Sequence, residues 1–223
     1  MAEFRANRRS NRGRTMACAL PSDDRRTPTV NAMMPVRTIL VDMDGVLADF
    51  EGMFLARWRE RHPSAPWVAP EARRAFPLAL DYPEDLRPLC DAIIQEDGYC
   101  RSLRPLPGAV QAVHDMLAEG LDVRICTAPL GNPSSAAEKL AWANEHLGTP
   151  FKKRVIIAKD KTLVRGEMLI DDKPVVSGVL APTWEHVVFD APYNRHVENR
   201  RICHWSGWRA IVGARAVGSP VAQ

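Results

Sequence analysis

The run Val36-Arg37-Thr38-Ile39-Leu40-Val41-Asp42 is the feature that most constrains how this chain folds. It is apolar and β-branched, lacks the polar alternation of a half-solvated strand, and stops at Asp42-Met43-Asp44-Gly45. A run of this kind marks a parallel strand buried on both faces. Comparable short runs lie at Leu121–Cys126, Arg154–Ala158, Met168–Ile170 and His186–Phe189, separated by segments of helical character. After Pro107-Gly108, for example, Val110, Val113 and Leu117 recur at helical spacing and Gly120 closes the segment. Strands alternating with helices predict right-handed crossovers and an α/β fold with a doubly wound parallel sheet.

Residues 51–104 break the alternation, with helical stretches, several prolines and many aromatics but no buried strand. They are read as a small helical cap inserted after strand one, which leaves 35–50 and 105–213 as the core and 214–223 as a flexible C-terminus. A length of 223 residues suits one core domain with a modest insertion. Residues 1–34 carry seven arginines against Glu3, Asp23 and Asp24, so +4 of the overall +3 sits there and the body carries −1. They show no apolar period and no secretory core, and are read as a disordered, dispensable basic tail. An organellar transit peptide and an upstream extension ending at Met33-Met34 are the other readings of this segment. A nearly neutral body argues against a nucleic-acid footprint, and no run approaches the roughly twenty apolar residues of a membrane span. Five cysteines (Cys18, Cys90, Cys100, Cys126, Cys203) form no C-x-x-C pair and are odd in number. They point to neither a zinc site nor a disulfide framework, and a reducing, cytoplasmic setting is expected. A homodimer is an allowed assembly.

In open parallel sheets the ligand lies beyond the carboxyl ends of the strands. Four polar signals occupy such ends: Asp42-Met43-Asp44-Gly45-Val46, Thr127-Ala128-Pro129, Lys159-Asp160-Lys161-Thr162 and Asp171-Asp172. Each alone has an ordinary explanation: a surface turn, a helix cap, a solvated lysine, another cap. Together they suit a phosphate monoester, which is highly charged and hydrolyses very slowly unless its oxygens are neutralised and a nucleophile is held in line. Magnesium would bridge the anionic phosphate and the carboxylates. Asp42 is then the nucleophile, and Asp44 protonates the leaving oxygen and later activates water. Gly45 permits the tight turn that aims backbone N–H groups at the phosphate. Lys161 and Thr127 stabilise the transferring charge, and Asp172 with Asp171 completes the metal site.

The segments D-M-D-G-V-L-A-D-F, I-C-T-A-P, D-K-T, L-I-D-D and W-E-H-V-V-F, in this order, resemble the haloacid dehalogenase-like phosphatases and, within them, the 5′(3′)-deoxyribonucleotidases. The resemblance runs from about Val36 to Trp208. It implies dephosphorylation of deoxyribonucleoside monophosphates, with magnesium held by Asp42, the main-chain carbonyl of Asp44, and Asp172. Two departures stand out. Ala128 occupies a position where that family usually has a serine, leaving only backbone amides there to contact phosphate. The stretch that supplies tryptophans to the familiar base pocket reads A-F-P-L-A-L-D-Y. Phe50 retains the family's stacking position, and Phe76 and Tyr99 are further candidates for the base, each ring worth about 1–3 kcal/mol if stacked. A phosphatase of a sugar phosphate or other small metabolite is the alternative, and a catalytically weak binding module a third. His114 and His146 fall in helical segments and receive no role. Trp205 and Trp208, at i and i+3, read as one helix face packed on the core. The whole reading requires the carboxylates of Asp42 and Asp172 to lie within about 8 Å, close enough to share a cation.

Overall fold

The computed structural model of the protein describes residues 37–213. The tail expected over 1–34 and the C-terminal segment 214–223 lie outside the described residues. In chain order the elements are β1 (Thr38–Val41), α1 (Phe50–Arg61), α2 (Arg87–Ile94), α3 (Ala109–Ala118), β2 (Asp122–Thr127), α4 (Ser135–His146), β3 (Val155–Ile157), β4 (Met168–Asp171), β5 (Glu185–Phe189), β6 (Arg201–Ile202) and α5 (Trp208–Val212). The six strands form one parallel sheet in the order β3-β2-β1-β4-β5-β6. The chain steps outward from β1 through β2 to β3, then returns to the other side of β1 with β4. The boundary between β1 and β4 is therefore the topological switch point, where an open sheet leaves a crevice.

Burial explains why β1 is continuously apolar. Ile39 and Val41 join Val123, Ile125, Met168 and Ile170 in a cluster with Val113 and Met116 of α3 and Trp142 of α4. Leu40, between them, belongs instead to a second cluster with Cys126, Leu169 and Trp184. Alternate side chains thus enter cores on opposite faces of the sheet, and neither face tolerates a polar residue. The two faces are wound differently. The first carries α3 and α4; the second carries the 3₁₀ turn Lys161–Leu163 and the segment 172–184. Pro174, Gly178 and Pro182 in that segment disfavour a helix. The five expected strands are present, and β6 is an addition: a two-residue edge strand is too short to carry a periodic signal. Trp205 and Trp208 are buried in the main cluster.

Between β1 and α3 the chain is helical: α1, α2 and 3₁₀ turns at Pro70–Ala72, Leu78–Asp81, Glu84–Leu86 and Cys100–Ser102. Asp49 caps α1 by accepting from the Gly52 N–H at 2.9 Å. Entry and exit run side by side, with Asp49 N donating to Arg104 O and Leu106 N to Leu47 O, both at 2.8 Å. Helix α4 grips the returning strand of chain. Glu138 accepts from Gly98 N at 2.7 Å and from Ser134 Oγ at 2.7 Å, and the Trp142 indole N–H donates to Leu103 O at 2.8 Å. Burial alone would raise the Glu138 pKa, but these backbone and hydroxyl donors hold its carboxyl below the ordinary value of 4.5.

At the end of β1 the chain turns sharply, and Gly45 adopts φ +71°, the left-handed region that favours glycine. Its N–H donates to Ala48 O at 2.9 Å. A Cβ at this position would run into the carboxylate of Asp172. Gly45→Ala is therefore expected to destabilise the protein by about 2 kcal/mol or more, read as a lower denaturant midpoint; an unchanged midpoint would contradict the close approach. Glu138→Ala, which orphans the Gly98 N–H, is expected to cost about 1–3 kcal/mol. Because the folded pKa of Glu138 is depressed, its contribution is present above the unfolded value near 4.5 and is lost as pH falls through the folded one. The stability gap between wild type and Glu138→Ala should accordingly narrow in melts below about pH 4.

Candidate active site

The strand ends bring the separated acids together. One carboxylate oxygen from each of Asp42, Asp171 and Asp172 lies within 4.8 Å of the others, all three residues being buried. Asp42 follows β1, while Asp171 ends β4 and Asp172 follows it, so the trio sits at the switch point. Lys161 reaches the cluster from the 3₁₀ turn after β3. Its ammonium donates to Asp171 Oδ2 at 2.6 Å and lies 2.8 Å from Asp42 Oδ1, an ion-pair distance but off the angle of a hydrogen bond. Burial works against the charge on Lys161, yet the Asp42 and Asp171 carboxylates push its pKa upward. Asp171 is the most committed of the acids, since its Oδ1 also accepts from Lys173 N at 2.9 Å.

Asp172 is positioned from the far side. The Tyr193 hydroxyl donates to its Oδ2, and Asn194 Nδ2 donates to its main-chain carbonyl at 2.7 Å and to Phe189 O at 2.8 Å. Burial, then the neighbouring charges of Asp171 and Asp42, push the Asp172 carboxyl well above the ordinary range. Three crowded carboxylates thus face a single ammonium, and all of their donors are hard oxygens. This arrangement fits a divalent cation such as would relieve the repulsion.

The Asp44 side chain is 20% exposed. Burial raises its pKa, with Lys139 opposing and Asp42 adding to the rise. Its Oδ1 is buried without a hydrogen-bond partner, while Oδ2 accepts from Lys139. Thr127, at the end of β2, is buried and accepts from the same ammonium at 3.1 Å. Thr127 caps no helix, because the residue flanking the start of α4 is Ser134.

These groups line a cavity of about 290 Å³. Asp42, Asp44, Gly45, Thr127, Ala128, Lys161, Asp171 and Asp172 form its polar floor, with Lys159 and Lys173 nearby. Phe50, Phe76, Leu78, Ile94, Leu130 and Val176 form an apolar wall. Phe50 and Phe76 thus stand where the sequence suggested, but Tyr99 does not. Tyr99 is 0% exposed, packs edge-on behind Phe50 at 5.3 Å and donates its hydroxyl to Phe50 O at 2.9 Å. It supports the wall from the core and cannot touch a ligand in the cavity, because the ring it was expected to complement stands in front of it.

The loop bearing Phe76 is tied down by Arg73, a buried arginine that pairs with Glu51 and donates to Asp81 Oδ2 at 2.6 Å and to Ala75 O at 2.7 Å. Its guanidinium lies 5.3 Å over the Tyr193 ring, and Phe76 packs edge-on against that ring at 5.9 Å. Sequence reasoning missed Arg73, Lys139 and Tyr193. For Lys139 a signal existed: it lies three residues before Trp142 and four before Ala143, on the buried face of α4. Arg73 lies in irregular chain and Tyr193 in the three-residue 3₁₀ turn Pro192–Asn194, neither of which carries a periodicity to betray burial. His114 packs on Phe151, and His146 on Trp142, both away from the cavity.

Comparison with known proteins places this arrangement among relatives. Residues 35–217 match the family model described as 5′ nucleotidase, deoxy (pyrimidine), cytosolic type C protein. The human 5′(3′)-deoxyribonucleotidase of cytosolic type is 42% identical over 189 residues, covering 79% of this chain and 94% of that protein. A Bordetella pertussis protein with a provisional 5′(3′)-deoxyribonucleotidase name is 47% identical over 175 residues, covering 78% of this chain and 94% of its own length. Among solved structures, a haloacid dehalogenase family hydrolase from Deinococcus radiodurans, determined with bound phosphate and sodium, superposes with a TM-score of 0.53 at 16% identity. It covers 80% of this chain and 96% of that one, a likeness of fold alone. With the family model spanning every described residue and relatives above 40% identity along nearly their full length, this chain belongs to the family described as 5′ nucleotidase, deoxy (pyrimidine), cytosolic type C.

Proposed function

We propose that this protein is a phosphatase of deoxyribonucleoside monophosphates that works through a phosphate ester on Asp42. The observation that carries the reading is the meeting of Asp42, Asp44, Thr127, Lys161 and Asp172 on the floor of one cavity whose wall is apolar and aromatic. The floor suits a phosphate and the wall suits a base. The names of the relatives support the same substrate class.

In the first step a carboxylate oxygen of Asp42 attacks phosphorus in line, the bond from phosphorus to the nucleoside oxygen breaks, and Asp44 gives that oxygen its proton. The raised pKa of Asp44 favours the protonated form needed for this. In the second step Asp44 takes a proton from water, which attacks phosphorus and releases Asp42 and inorganic phosphate. Lys161 and the Thr127 hydroxyl face the phosphoryl oxygens, with the backbone N–H of Ala128 serving where a hydroxyl is lacking. Magnesium held by Asp42, Asp172 and the Asp44 carbonyl would neutralise charge between the carboxylates and the phosphate. Phe50 and Phe76 bracket the base. The organisation into a core and a helical cap over residues 51–104 belongs to this reading, the cap supplying Phe76 and Leu78. So does a cytoplasmic setting, which Cys90, Cys100, Cys126 and Cys203 support by being unpaired thiols. Among the described residues no helix is long and apolar enough to cross a membrane.

A second reading, a phosphatase of another small phosphorylated metabolite, draws on the absence of tryptophan from the described cavity lining. The test is phosphate release from a panel of deoxyribo- and ribonucleoside monophosphates and sugar phosphates, with magnesium and with a chelator. Release from deoxyribonucleotides, lost on chelation, is expected; a tenfold preference for a non-nucleotide, about 1.4 kcal/mol in transition-state binding, selects the second reading instead. Asp42→Asn should lower kcat by at least about a thousandfold, and turnover that survives it would remove the covalent mechanism.

A further inference from the structure

Lys139 is 0% exposed, and a lysine without solvent is sustained only by partners. It lies on the inner face of α4 beside Trp142 and Ala143, where its four-carbon stem passes through the core. The ammonium has two named partners, Asp44 Oδ2 and Thr127 Oγ1. Both face the cavity, and neither is adjacent to Lys139 in sequence.

The direction of these contacts matters. An ammonium only donates, so Thr127 Oγ1 must accept from it, and the threonine's own hydrogen is left to donate elsewhere. Thr127 lines the cavity floor, where a phosphoryl oxygen would be its acceptor. Likewise Lys139 occupies one oxygen of Asp44, which leaves Oδ1, buried and without a partner, as the oxygen available for proton exchange. One cation thereby orients both groups.

We propose that Lys139 is a positioning residue for phosphoryl transfer, fixing the Asp44 carboxyl and the Thr127 hydroxyl in their working orientations. This rests on the reading of Asp44 as the acid and base. Lys139 itself touches neither substrate nor the reacting atoms. Its neighbour Glu138 holds Gly98 and Ser134, so the same turn of α4 that aims Asp44 also anchors the chain returning from residues 51–104.

The test exploits leaving groups. A nucleoside alkoxide departs only with a proton, whereas p-nitrophenolate departs readily without one. Lys139→Met keeps the length and apolar stem of the side chain while removing the ammonium. In single-turnover measurements it is expected to slow phosphoryl transfer from a deoxyribonucleoside monophosphate at least about tenfold more than transfer from p-nitrophenyl phosphate, within the range of general acid catalysis. Equal slowing of both substrates overturns the proposal, because a purely structural defect does not distinguish leaving groups. In an Asp44→Asn background, Lys139→Met is expected to slow both substrates alike, since the acid it orients is already disabled and only the Thr127 hydroxyl is still affected. That double variant also serves if Lys139→Met alone does not fold, because it removes both charges of the pair; a tenfold difference between the two substrates on adding Lys139→Met to Asp44→Asn overturns the proposal. Full nucleotide turnover by Asp44→Asn would overturn the acid and base assignment itself. Loss in Asp44→Asn combined with wild-type behaviour of Lys139→Met would overturn this inference alone.

Discussion

Negative charge concentrated at the border of β1 and β4 is the constraint on which the rest of the structure depends. Asp42 directly follows β1, Asp171 ends the neighbouring β4 and Asp172 follows it, which places three carboxylates within 4.8 Å of one another in a buried position. Such a cluster exists only if its surroundings are arranged to hold it. Lys161 crosses from the turn after β3 to pair with two of the acids. Tyr193 and Asn194, arriving after β5, secure the third and its backbone. Gly45 yields the space in which that third carboxylate sits. The sheet contributes through β1, whose Ile39, Leu40 and Val41 are packed on both faces, so that the polar groups of this strand's carboxyl end begin at Asp42.

Much of this was legible because parallel strands buried on both faces write continuous apolar runs, and because catalytic acids follow them directly. The run ending at Asp42 and the Leu169-Ile170-Asp171-Asp172 segment each announce a strand and the polar group beyond its carboxyl end. The expectation that the carboxylates of residues 42 and 172 lie close enough to share a cation is met by the geometry. What escaped notice shares one property, that burial is conferred by tertiary contacts rather than by local pattern. Lys139 in E-K-L-A-W reads as a solvated helix residue until Trp142 is recognised as an inward position. Arg73 sits in irregular chain and Tyr193 in a single 3₁₀ turn, where burial leaves no period. For Tyr99, an aromatic within residues 51–104, the sequence carries no register that tells a base-stacking ring from a core one. Tyr99 packs edge-on behind Phe50, so that only Phe50 lines the cavity.

Helix α4 organises the opposite side of the site. Its inner face presents Ser135, Glu138, Lys139 and Trp142 in succession, and three of them do unlike jobs over a single turn and a half. Glu138 and Trp142 fasten the chain at Gly98 and Leu103, while Lys139 addresses Asp44 and Thr127. An amphipathic helix normally contributes only apolar area to a core. Here two charged residues lie on the buried face, each matched by donors or acceptors contributed from elsewhere in the chain.

The contact of Phe76 with Tyr193 has a consequence for how this enzyme scaffold can diverge. One ring, Tyr193, touches the pocket wall through Phe76, the loop anchor through Arg73 and the acid cluster through Asp172. On the proposed reading, the wall that would receive the organic half of a substrate is therefore not mechanically separate from the acids that would receive the inorganic half. Refashioning the wall at residue 76 to admit a different molecule disturbs the seat of Tyr193, and with it the carboxylate that the tyrosine restrains. New specificity in this architecture is more readily reached through Ile94 and Leu130, which line the same wall from the end of α2 and from the chain after β2 rather than from the loop that carries Phe76.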